Sequence, residues 1–162
     1  MKKFVDDILH VKVLLENKAY KQLLEFYNQS GDYETGGILV GYYDVNYNSA
    51  IITQVTNAPK DSICRRRSFR RGISGLSKYL QAIWDNKNEY YLGEWHSHPH
   101  SSAVPSKVDI SQIKHIANNP KFLCSEPLLL VIGERYGKIE LQLIVVIDNK
   151  TYMLNSVADE KL

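Results

Sequence analysis

Apolar positions along the 162-residue chain change period several times, and each change marks an element. Residues 4–10 read as a short strand or an irregular lead-in. From Val11 to Gln29 the spacing is helical. Leu14, Leu15, Ala19, Leu23, Leu24 and Phe26 share one broad face, with Lys18, Lys21 and Gln22 elsewhere. Ser30-Gly31 suits the end of that helix, because glycine tolerates the left-handed turn that closes it. Ile38–Tyr43 is a compact apolar run and predicts a central strand. Gly36 and Gly37, just before it, predict either close approach of another backbone or unusual dihedrals. Asp44 to Ser49 is polar and turn-like. Ala50 to Asn57 then alternates, so the chain predicts a hairpin. Asn57 to Ser62 reads as a loop.

A second helix is expected over Ser74–Lys87. Leu76, Leu80, Ile83 and Trp84 form its apolar stripe, which reads as ordinary core. Residues 90–95 are aromatic and apolar and predict a strand. A third helix is expected from a cap at Ser106 to Ala117, with Ile110, Ile113, Ile116 and Ala117 facing inward. Asn118-Asn119-Pro120 stops it. The unbroken apolar run Leu128–Ile132 predicts a strand covered on both faces. Ile139–Ile147 and Thr151–Leu154 follow as strands, and the polar last residues read as a frayed end. The sum is a single α/β domain over residues 1–162, with a mixed sheet and about three helices.

Charge changes this picture in one place. The formal net charge is only +2, yet five of the six arginines fall in Arg65-Arg66-Arg67-Ser68-Phe69-Arg70-Arg71. A protein that is not broadly basic is a poor general nucleic-acid surface. The run itself reads as a solvated loop before the second helix. Its embedded Phe69 and its rigid guanidinium forks also suit an acidic protein partner. No apolar run approaches a membrane span, and the start lacks the core of a signal peptide, so a cytoplasmic protein is expected. Cys64 and Cys124 stand far apart. They leave open a disulfide, a buried pair or free thiols, and a cytosolic setting favours the last.

The chemistry concentrates in residues 93–109, Gly-Glu-Trp-His-Ser-His-Pro-His-Ser-Ser-Ala-Val-Pro-Ser-Lys-Val-Asp. Extended backbone sends His96 and His98 to the same side, at the end of a strand that Pro99 terminates. Paired imidazoles are poor core fillers and good zinc ligands. His98 and His100 share that spacing, but Pro99 and the serines after His100 suggest a chain already turning. Ser106 suits an N-cap and puts Asp109 at the third helical position. There the carboxylate either completes a capping box or turns toward a metal. Glu94, on the strand face opposite Trp95, is not assigned as a ligand, and His115 reads as a surface or shell histidine.

With Glu34 upstream, this stretch resembles the motif of the JAMM (MPN+) metalloproteases. That motif is a glutamate, then His-x-His, ten residues and an aspartate, with a serine three residues before the aspartate. The matching residues here are Glu34, His96, His98, Ser106 and Asp109. The resemblance covers almost the whole chain. It implies a cytidine-deaminase-like α-β-α sandwich and Zn²⁺ held by His96, His98 and Asp109. It also implies Glu34 as general base and Ser106 as donor to the oxyanion. The implied substrate is a peptide or isopeptide bond after the C-terminus of a ubiquitin-like protein.

Within the family the chain looks most like the stand-alone bacterial branch of CBASS anti-phage operons. Those proteins detach conjugated targets such as a cGAS-like nucleotidyltransferase. Processing of a small sulfur-carrier protein and a non-catalytic MPN scaffold are the rival readings. A nucleotide deaminase would need a Pro-Cys-x-x-Cys segment that the sequence lacks. The region before the second helix lies near the substrate groove in such enzymes. That makes Arg65, Arg66, Arg67, Phe69, Arg70 and Arg71 candidate substrate or partner contacts.

Overall fold

The structure, a computed structural model, describes residues 1–46 and 48–157. The expected frayed end at 158–162 lies outside the described residues. In chain order the elements are β1 (Lys2–Asp6), β2 (Val11–Leu15), α1 (Asn17–Ser30), β3 (Gly36–Asp44) and β4 (Ser49–Val55). Then come β5 (Ile63–Arg65), β6 (Ser68–Arg70), α2 (Leu76–Lys87), β7 (Tyr90–His98) and α3 (Lys107–Asn118). After a single 3-10 turn at Pro120–Phe122, β8 (Leu128–Arg135), β9 (Lys138–Ile147) and β10 (Lys150–Val157) complete the fold.

This is the expected mixed α/β architecture with three helices. The sheet closes on itself in the order β1-β10-β9-β8-β7-β3-β4-β2. Two pairs are parallel, β7 with β8 and β2 with β4, and every other neighbouring pair is antiparallel. The β7–β8 connection carries α3, as a parallel pair requires a long crossover. Closure removes the exposed edges that an open sheet must protect.

The sheet packs on two sides. Leu128, Leu130 and Ile132 join Val13, Leu15, Leu23, Leu39, Ile52 and Trp95 in the larger core, against α1. Leu129 and Val131 point the other way and meet Ile113 and Ile116 of α3. The continuous apolar run of β8 is thus explained residue by residue, alternate side chains going to opposite layers. On α1, Ala19 and Leu23 are fully buried, and Gly31 closes the helix with φ 60°.

Three elements differ from the sequence reading. The helix expected from Val11 begins only at Asn17. Val11–Leu15 is a strand with β1 antiparallel on one side and β4 parallel on the other, burying Val13 and Leu15. Its β-branched alternation suits a pleated surface better than a helix. Secondly, the arginine run is a hairpin, with Ile63 opposite Arg70 and Cys64 opposite Phe69. Thirdly, α2 contributes no buried residue. Its stripe is only half covered, and Trp84 is 50% exposed, resting on the Tyr90 ring. Among the described residues no helix is long and apolar enough to cross a membrane.

These placements predict unequal costs. Leu130→Ala should destabilise the protein by about 2–5 kcal/mol in urea unfolding, the usual range for a fully buried leucine. Trp84→Ala should cost about 1 kcal/mol or less. Equal losses would put α2 back into the core.

Candidate metal centre

The last five residues of β7 alternate across the sheet. Trp95 and Ser97 turn to the α1 side or inward, both fully buried, while Glu94, His96 and His98 share the opposite face. Ser97 also stitches the preceding loop in place. Its amide donates to the Thr35 carbonyl at 2.8 Å, and its hydroxyl accepts from the Thr35 amide at 2.8 Å. Glu34, one residue earlier, donates its amide to the Arg65 carbonyl of β5 at 2.8 Å. The hairpin and β7 therefore hold the Glu34 segment from two sides.

Gly36 shows how tight this junction is. A Cβ there would stand 2.3 Å from the Trp95 carbonyl and 2.5 Å from the Phe69 ring. At Gly37 it would stand 2.2 Å from the Thr56 carbonyl. Close backbone approach, the first of the two alternatives at these glycines, is present. Phe69 itself is buried and meets His96 edge-on, with ring centroids 5.3 Å apart.

Asp109 does two jobs. Its amide donates to Ser106 Oγ at 3.0 Å and its Oδ2 accepts from the Ser106 amide at 2.8 Å, a complete capping box. The same carboxylate reaches both histidines, Oδ1 to His96 Nδ1 at 3.0 Å and Oδ2 to His98 Nε2 at 3.1 Å. Asp109 thus completes the helix cap and contacts both histidines at once. On its other nitrogen, Nδ1, His98 donates to the Ser102 carbonyl at 3.3 Å. His100 is not part of this cluster. It pairs with Asp32 at 2.8 Å on the exposed rim.

Charge follows from these contacts. Burial works against ionising Asp109, yet bonds from His96, His98 and the Ser106 amide hold its carboxyl far below the usual range. Burial likewise opposes a charge on His96, and the Asp109 and Glu94 carboxylates overcome it, raising that imidazole to about 9. His98 is raised chiefly by its bond to Asp109. Burial pushes Glu34 upward, with Asp109 adding and the two histidines opposing. A cleft of about 580 Å³ gathers Glu34, Phe69, His98, Ser106 and Asp109, with Arg66 and Arg67 on its wall.

Among the described residues, no three His, Cys, Asp or Glu side chains stand in the geometry of a metal cage. Instead Asp109 touches both imidazoles directly. The donor chemistry nonetheless fits a cation. Two imidazoles and a carboxylate are a zinc set that leaves a position open. Three carboxyl groups, Glu34, Glu94 and Asp109, surround rings whose affinity for positive charge is already raised.

Some residues fall differently from the sequence reading. Arg65, Arg66, Arg67 and Arg70 are exposed on the hairpin. Arg71 is turned inward and ion-paired to Glu94 at 2.7 Å, with only 12% of its side chain exposed. Glu94, which the sequence left without a role, lies beside the site. It sits on the His96 side of β7, with Oε2 3.9 Å from His96 Nε2. The i, i+2 spacing of Glu94 and His96 on one strand was the available signal. His115 is exposed and lines a separate cavity of about 420 Å³ with Arg71, Glu94 and His96. Cys64 and Cys124 are both free thiols.

A mixed sheet with three helices accords with a JAB/MPN-type architecture. The chain belongs to the family of prokaryotic homologs of the JAB domain, which it matches over residues 16–149. It is 36% identical over 121 residues to a CD-NTase/cGAS isopeptidase of Enterobacter hormaechei subsp. hoffmannii, covering 75% of this chain and 67% of that protein. A protein of the same name from Escherichia coli is 28% identical over 141 residues, with 82% and 81% covered. One from Vibrio cholerae is 29% identical over 118 residues, with 70% and 72% covered. The fold is similar to the solution structure of protein DSY2949 from Desulfitobacterium hafniense, with a TM-score of 0.61 at 20% identity and 87% and 88% coverage.

The double role of Asp109 predicts that Ser106→Ala costs about 1 kcal/mol of stability, a typical loss for an N-cap. Urea unfolding measures it. No change would mean that the histidine contacts alone hold the start of α3.

Proposed function

We propose that this protein is a zinc-dependent isopeptidase that releases a target from the C-terminus of a ubiquitin-like protein in a bacterial anti-phage conjugation system. One observation carries the reading. Asp109 joins His96 and His98 in a single hydrogen-bonded cluster that shares its cleft with Glu34 and Ser106. The relatives named as CD-NTase/cGAS isopeptidases support the substrate class, a ubiquitin-like conjugate of a cGAS-like nucleotidyltransferase. Residues 1–162 act as one domain in this reading. The single closed sheet of the described residues supports that. A cytoplasmic setting belongs to it as well, and two free thiols are consistent with such a setting.

His96, His98 and Asp109 would hold the zinc ion. Zinc, when bound, supplies a Lewis acid that polarises a scissile carbonyl and acidifies water. Glu34 accepts the proton of the attacking water and returns it to the departing amine. Its carboxyl, raised by burial, is suited to carrying a proton between those two steps. Ser106 uses Oγ as an acceptor in the helix cap, so its hydroxyl proton stays free to donate to the developing oxyanion. The Ser102 carbonyl fixes the His98 ring, leaving Nε2 turned to Asp109. Phe69 packs edge-on against His96 and closes one wall of the site. The exposed Arg66 and Arg67 at the cleft offer the substrate protein forked donors for acidic groups.

The test is cleavage of a ubiquitin-like protein fused at its C-terminus to a cGAS-like nucleotidyltransferase, read by intact mass. The parent should cut after the terminal residue, stop under chelation and recover with zinc. Glu34→Gln should lower kcat by about 10² or more while the protein still binds zinc. A zinc-loaded protein that cuts no such fusion would retire the substrate class. Full activity in Glu34→Gln would retire the general base.

A further inference from the structure

The proposed zinc site leaves one buried ion pair without a task. Glu94 is 5% exposed, and its Oε1 accepts from Arg71 Nε at 2.8 Å and the Tyr91 hydroxyl at 3.2 Å, with Arg71 Nη2 in ion-pair contact at 2.7 Å. Arg71 is itself pinned, donating Nη1 to the Gly72 carbonyl at 2.8 Å. With Oε1 engaged, Oε2 is the oxygen left to face His96 Nε2, at 3.9 Å. A buried arginine–carboxylate pair contributes little net stability, because desolvation of both charges offsets their attraction. The expense of placing this pair beside His96 calls for a use.

His96 stands between two carboxylates, Asp109 at Nδ1 and Glu94 at Nε2. A histidine that binds a metal through one nitrogen commonly offers the other N–H to a carboxylate, which fixes both the tautomer and the ring angle. His98 has its own acceptor, the Ser102 carbonyl. The group facing His96 in the same way is Glu94, its Oε2 3.9 Å from Nε2. Water entering the cavity beside Arg71, Glu94 and His96 would otherwise compete for that N–H.

Resting on the zinc reading above, we infer that Glu94, clamped by Arg71 and Tyr91, is a positioning residue that orients His96 by receiving its Nε2–H. The nitrogen facing Asp109 is thereby kept for the metal. Glu94 touches neither metal nor substrate in this assignment. The clamp also ties the site to the hairpin, since Arg71 directly follows β6.

The test compares the parent, Glu94→Gln and the double variant Arg71→Met/Glu94→Gln, which leaves no unpaired buried charge and so guards against simple misfolding. Circular dichroism checks the fold of each. Zinc affinity is measured by competition with a chelator. Long-range proton–nitrogen spectra of the metal-free proteins follow the His96 Nε2–H.

Both variants should bind zinc about 10–100-fold more weakly than the parent. Both should also lose the solvent-protected Nε2–H signal. If the double variant binds zinc as tightly as the parent and keeps the signal, Glu94 serves only to neutralise Arg71 and the inference falls. A parent that binds no zinc would retire the functional reading instead. The spectra would still decide this one: loss of the signal in Glu94→Gln upholds the orienting contact, and its retention overturns it.

Discussion

The carboxylate of Asp109 is the point on which the site depends. It closes the capping box of α3 and contacts both histidines at the end of β7. Those bonds join a strand end, a loop and a helix start that the chain reaches over fourteen residues, His96 to Asp109. The parallel pairing of β7 with β8 is what places α3 there. A parallel neighbour demands a crossover, and α3 is that crossover, packed by Ile113 and Ile116 on the outer layer of the sheet. The helix start accordingly lies beside the strand end. Negative charge is favoured in that first turn by the free backbone amides, so the carboxylate is held ionised where it is needed.

Most of the buried polar residues gather around this centre, while Ser49, Thr53 and Glu89 lie elsewhere. Thr35, Glu94, His96, Ser97 and Asp109 are all buried polar residues of the site or its immediate support. Each has a partner, and among the described residues no buried side-chain nitrogen or oxygen lacks one. A hydrogen-bonded network in a low-dielectric surrounding is stiff when every member is satisfied. The hairpin β5–β6 is fastened to that network at three points: the Arg65 carbonyl to Glu34, Phe69 on the His96 ring, and Arg71 on Glu94. An exposed, arginine-rich surface is thereby mounted directly on the proposed catalytic residues.

How much of this the sequence disclosed follows from the range of each interaction. The contact of His96, His98 and Asp109 was legible because strand alternation and a helix cap are local, and both are written within one short stretch. Leu128–Ile132 was legible as a doubly covered strand for the same reason. Glu34 carried no local signal and entered only through resemblance to a family. Val11–Leu15 was misread because its apolar spacing fits a helix face as well as a strand. Pairing selects the strand, with β1 on one side and on the other with β4, a contact across some 37 residues from Lys12 to Ser49. The strands of the hairpin, Ile63–Arg65 and Ser68–Arg70, are three residues each, too short for an alternation to show. The stripe on α2 was taken for core because periodicity shows that a face is apolar, not how completely it is covered. Closure of the sheet through β1 and β10 is set by its two ends and has no local mark.

The central claim is that Asp109 and the two histidines form one cation site. It is tested most directly by metal analysis of purified protein beside Asp109→Ala and His98→Ala after exposure to zinc and desalting. The account predicts a single zinc ion per chain in the parent and essentially none in either variant, with the variants still folded by circular dichroism. Zinc retained in Asp109→Ala, or absent from a folded parent, would contradict it.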